Sequence, residues 1–190
     1  MNSKILILII FFTTIIKIHS QNSNKYSHSV SITIPEVALL DLESSKDKNL
    51  KFDIKAPTEA GSAINISNIN YDMWINYSSI VNSSSTSRNV GVQITDGKVA
   101  DGLQLNIYAW RDVRKGEGQM GKSPTSLLKL TDSEVTNLIT GIGSAYTGNG
   151  PDKGHRVLYY LTKSNDKEYY SKLNSDQSDI LTITYTLTDN

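Results

Sequence analysis

The feature that most constrains this chain is period-two alternation, repeated in segment after segment. Tyr26 to Ile34 sets small or polar residues between apolar ones and ends at Pro35. Leu50-Lys51-Phe52-Asp53-Ile54 alternates strictly before Pro57, and Ala63 to Ile66 alternates again. Val37 to Leu42 is a short apolar run. Tyr71 to Tyr77, Val90 to Ile94, Leu103 to Tyr108, Thr125 to Leu130, Val157 to Leu161 and Ile180 to Leu187 complete the series. β-Branched and aromatic residues at every second position put one face of an extended segment against a core and the other in water. The connectors carry turn chemistry: Asp96-Gly97, Gly150-Pro151-Asp152, Lys153-Gly154 and the stretch Ser83 to Ser87. One helix candidate exists, Asp132 to Thr140, with Thr131 as cap and Glu134 three positions on; it reads equally well as a strand and a turn. Many short strands between turns predict an all-β fold, an antiparallel β-sandwich with at most one short helix.

The N-terminus sets the compartment. Met1 to Lys4 is short and positively charged, Ile5 to Ile16 is apolar except for Thr13 and Thr14, and Lys17-Ile18-His19-Ser20 leads into the polar Gln21-Asn22-Ser23-Asn24. That order predicts a signal peptide over residues 1–20, cleaved after Ser20, and a single domain over residues 21–190. The apolar run is too short to stay as an anchor, since a span needs roughly 20 residues. No later segment reads as a membrane span. The chain has no cysteine, so it offers no acylation site for a lipid anchor. Small exported domains in oxidising compartments usually carry disulfides, so an exported chain without cysteine points to a bacterial periplasm or outer surface.

Charge is balanced, with 19 basic and 19 acidic side chains. Lys4 and Lys17 leave with the leader. No basic stripe predicts nucleic-acid binding and no charge run predicts a disordered tail.

The sharpest motif is Gly116-Glu117-Gly118-Gln119-Met120-Gly121-Lys122-Ser123, which satisfies the P-loop pattern. A P-loop follows a buried strand and opens a helix whose N-terminus receives phosphate. Here charged Arg111 to Lys115 precede the string, and Pro124 turns Ser123 away from helical geometry. We read it as a flexible Gly-rich loop that binds no nucleotide. Metal sites and cofactors are not expected: His28 and His155 are far apart, and no Asp/Asn run has calcium-loop spacing. Asp152 reads as a turn residue. No G-x-S-x-G elbow exists, and His155, between Gly154 and Arg156, reads as a solvated loop histidine. The chain is therefore expected not to be an enzyme.

The aromatics offer a binding reading. In Tyr71 to Tyr77, alternation puts Tyr71, Met73, Ile75 and Tyr77 on one face and Asp72, Trp74 and Asn76 on the other. A strand tryptophan is usually core. Trp110 with Arg111 and Asp112, at a strand end, is the better candidate for a ligand site, with the ring stacking on a sugar. The last strand runs nearly to the C-terminus and is a candidate edge, open to another chain. The simpler expectation is that it pairs within its own sheet.

Gly141 to Gly150, then Gly154 to Leu161, then Leu181 to Thr188, with Ser31 to Pro35 and Tyr71 to Tyr77, resemble small secreted proteins of Bacteroidota, themselves similar to pilin-like or fimbrial β-sandwich domains. The resemblance implies an immunoglobulin-like or pilin-like sandwich serving as a structural or adhesive subunit of the bacterial cell envelope. Its partners would be other envelope subunits or surface glycans. Chaperone–usher pilins often carry a disulfide, which this chain lacks. Two alternatives stand beside it: a carbohydrate-binding module, and a hydrolase whose carboxylate pair comes from two strands.

Overall fold

A computed structural model describes residues 25–113, 115–175 and 180–190. The expected leader, residues 1–20, lies outside them. The chain divides into two units, Met1–Ile34 and Pro35–Asn190. In the first, the described residues 25–34 are extended and exposed and pair with no strand, although their alternation predicted one. The second unit carries nine strands and, among the described residues, no α-helix. They are β1 (Val37–Ser44), β2 (Asn68–Ile80), β3 (Arg88–Asp96), β4 (Leu103–Ala109), β5 (Glu117–Lys122), β6 (Leu128–Lys129), β7 (Thr136–Tyr146), β8 (His155–Lys163) and β9 (Thr182–Asp189), with one 3-10 turn at Tyr169–Lys172. The helix candidate is thus a turn and a strand. No described helix is long and apolar enough to cross a membrane.

All pairings are antiparallel, in the order β6-β4-β8-β2-β7-β3-β9, with β1 added on β2 and β5 on β7. The 13-residue β2 links the two halves of this sandwich-like fold. It pairs with β8 from Asn68 to Ile75, with β1 from Met73 to Ile80, and with β7 at Ser78 and Ser79. A bulge between Asn70 and Met73 interrupts its ladder with β8. Met73, Ile75, Ile107, Val157 and Tyr159 bury one inner face, and Val90, Val92, Ile94, Ile139 and Ile142 bury the other. Each full burial of such a side chain stabilises the fold by about 2 kcal/mol. Leu50, Phe52, Ile54 and Ile64 pack on this core from an extended connector that is not a strand. These two predicted strands bury the expected face without joining a ladder.

The P-loop-like string is β5 rather than a loop. Glu117 to Lys122 pairs with Tyr146 to Thr140 of β7, and no helix follows it. The predicted strand Thr125 to Leu130 shrinks to the two residues of β6.

Candidate functional site

The three residues singled out at the end of β4 part company. Trp110 is 39% exposed, and its backbone N–H donates to Arg156 O at 2.9 Å. Arg111 is exposed. Asp112 is buried and points its charge inward, toward Tyr77 and His155. The segment therefore borders two different environments, one inside the sheet and one outside.

Inside lies a polar knot around His155, which is fully buried as the first residue of β8. This corrects the reading of a solvated loop histidine. Its Nδ1 is 2.9 Å from Trp110 O. Its Nε2 is 3.0 Å from Tyr77 Oη and 3.3 Å from Met120 O. The Tyr77 hydroxyl also meets the Met120 carbonyl. Burial holds the His155 pKa below the usual histidine range, although the carbonyls of Trp110 and Met120 and the charge of Asp112 pull it up. Burial, helped by Asp112, pushes the Tyr77 hydroxyl well up. Both groups are therefore neutral at neutral pH. Both ring nitrogens thus face a carbonyl, which only accepts: Trp110 O at Nδ1 and Met120 O at Nε2. Ser123 Oγ lies 3.4 Å from the ring at Nδ1. The knot staples β2, β8 and β5 together. Among the described residues, no group of three His, Asp or Glu side chains gathers to hold a metal.

Outside, the faces of β4, β8 and β2 carry aromatics around one arginine. Arg156 stands opposite Trp74 in the ladder and beside Trp110. Its guanidinium lies 4.5 Å from the Tyr71 ring centre and 5.3 Å from that of Trp74, and its Nε donates to Tyr71 O at 2.8 Å. Tyr108 meets Trp110 edge-to-face at 5.7 Å. Tyr71 is 47% exposed. The β2 bulge places it with Trp74, not with Met73 as strict alternation predicted.

A third feature is an edge. β9 closes the strand order and, among the described residues, pairs only with β3. Its Ile183, Tyr185 and Leu187 lean on the core, while Thr182, Thr184, Thr186 and Thr188 face out. Thr184 Oγ1 meets Thr95 Oγ1 at 2.7 Å across the ladder.

No family model, curated protein or solved structure matches the chain.

Proposed function

We propose that this chain is an exported, non-catalytic subunit of the bacterial cell envelope that joins copies of itself by donating its N-terminal strand. The observation that carries this reading is the segment Tyr26 to Ile34. It has the alternation of a half-buried strand, yet Tyr26, Val30, Ile32 and Ile34 are 97%, 72%, 84% and 73% exposed. Burying Val30, Ile32 and Ile34 would stabilise an assembly by about 2 kcal/mol each. The β9 edge of a second copy is the matching acceptor. Its eight residues suit the nine of Tyr26 to Ile34. Donor Ser27, Ser29, Ser31 and Thr33 would extend the outward threonine face, and Val30, Ile32 and Ile34 would extend the inward face of Ile183, Tyr185 and Leu187. The likeness to pilin-like domains implies the same role.

Light scattering on the leader-free chain is expected to show mass growing with concentration, and Val30→Asp combined with Ile32→Asp is expected to hold it at monomer mass. Since the chain has no cysteine, the pair Ser31→Cys and Thr186→Cys reports the contact directly, as a disulfide between copies. A wild-type chain that stays monomeric at every concentration would sink the proposal, and so would oligomers that survive the double aspartate variant.

A further inference from the structure

The outer face of β4, β8 and β2 has a composition that strand assembly does not require. None of the residues of β4 (LQLNIYA), β6 (LK) or β8 (HRVLYYLTK) is acidic; the carboxylates beside this face are Asp72 on β2 and Glu43 on β1, which stands opposite Trp74. Basic groups do stand on this face. Arg156 is at its centre, and Lys129 is opposite Asn106. Among the described residues, no carboxylate lies within ion-pair distance of Arg156; the nearby Asp72 is paired instead with Lys46, at 3.4 Å.

The guanidinium is also held in place before any ligand arrives. Tyr71 and Trp74 flank it, and Nε is tied to the Tyr71 carbonyl, which leaves the two Nη groups to meet a partner. A planar donor pair of this kind fits a carboxylate. Little side-chain entropy remains to be lost on binding. The half-open rings of Tyr71 and Trp110 lie on either side of it. Tyr108 and Tyr160 continue the aromatic row, Tyr108 opposite Leu158 and Tyr160 opposite Asn106 and Ile69. From the Trp110–Arg156 row to the Asn106–Tyr160 row is four residues, about 13 Å along the strands. The surface is a sheet face with flat rings rather than a groove, which suits stacking on sugar rings better than seating a helix or an apolar peptide.

We propose that this face binds an acidic polysaccharide, with a uronic-acid carboxylate on Arg156 and sugar rings stacked on Tyr71 and Trp110. The proposal is independent of strand donation, because no residue of Tyr26 to Ile34 or of β9 belongs to it. Isothermal titration of the leader-free chain tests it, with oligogalacturonate as probe and its methyl ester and poly-glutamate as controls. The free acid is expected to bind, and the ester and poly-glutamate at least about tenfold more weakly. Trp110→Ala and Arg156→Gln are each expected to weaken binding about tenfold while the circular dichroism of the fold is unchanged. Absence of binding to the free acid overturns the proposal. Equal binding of the ester removes the carboxylate from it, and equal binding of poly-glutamate reduces the face to a charge patch; either result overturns it. Undiminished binding by Trp110→Ala places the site elsewhere and overturns it as well.

Discussion

Arg88 is 2% exposed and makes five hydrogen bonds at once. Its Nε donates to Asp189 Oδ1 at 2.8 Å. Its Nη1 meets Val37 O, Ser79 Oγ and Ile80 O, and Nη2 meets the Glu36 carboxylate. One planar fork thus joins the ends of β1, β2, β3 and β9, and lysine, a single point charge, cannot reproduce it. Both Arg88→Lys and Arg88→Ala should lower unfolding free energy by about 3 kcal/mol in urea titration; a lysine variant as stable as wild type would show that charge alone suffices. His155 makes a different prediction, about pH. Its folded pKa lies below the unfolded value of about 6.5. Between those two values the unfolded chain binds a proton that the folded chain refuses. Its contribution is therefore complete above the unfolded pKa and is lost as pH falls through that window. His155→Gln should cost about 2 kcal/mol at neutral pH and flatten the decline in stability as pH falls below about 6.5. An unchanged slope would assign the decline to other groups. Neither residue declared its role in the sequence. His155 lies between Gly154 and Arg156, a polar setting, while its partners Tyr77 and Met120 are 78 and 35 residues away.

At the scale of elements, alternation marks burial without pairing between Leu50 and Ile66, and over Tyr26 to Ile34 it marks neither. Leu50, Phe52 and Ile54 lie half-buried between exposed neighbours without joining a ladder. Where strands bulge, the pattern misleads in the other direction. In β7 the register shifts twice against β3, so Leu138 and Ile139 are both buried, along with Ile142. With Val135 they fall at spacings of three and four, the signature of a helix face. The helix reading of Asp132 to Thr140 rests on Thr131 and Glu134 as a capping box, and this spacing does not oppose it. β5 went unseen because its glycines resemble a loop. In the fold they let it lie close against β7. A Cβ on Gly118, where φ is +98°, would stand 2.2 Å from Ser144 O. Gly141 in β7, at φ +71°, has nothing within 4 Å of that position. The pair separates collision from backbone strain. Gly141→Ala should cost about 1 kcal/mol, the penalty of left-handed geometry alone. Gly118→Ala should cost at least about 2 kcal/mol and speed amide exchange along β5. Equal costs for the two would mean that β5 yields without loss.

At the scale of the whole molecule, closure depends on the far end of the chain. Arg88 and Asp189, which meet in the β3–β9 pair, are 101 residues apart, so the last strand can settle only after the rest is in place, a topology that folds slowly. β9 then covers Val90, Val92 and Ile94 through Leu187, Tyr185 and Ile183. The Tyr185 hydroxyl meets that of Tyr159 on β8, in a site so buried that the Tyr159 hydroxyl is pushed up to about 12. The two ends of the leader-free chain should therefore behave oppositely on truncation. A chain starting at Pro35 loses, among the described residues, only exposed ones, and its melting temperature should stay within about 2 °C of the full chain while oligomers disappear. A chain ending before Thr182 exposes three core residues of β3, worth about 2 kcal/mol each. It also strips Arg88 of its aspartate. That loss approaches the whole stability of a domain, about 5–15 kcal/mol, so the near-ultraviolet circular dichroism of a folded core should vanish. A cooperative melt in this shortened chain would mean that the core is held without β9, and an edge strand that the core does not need would be a poor foundation on which to dock a second copy.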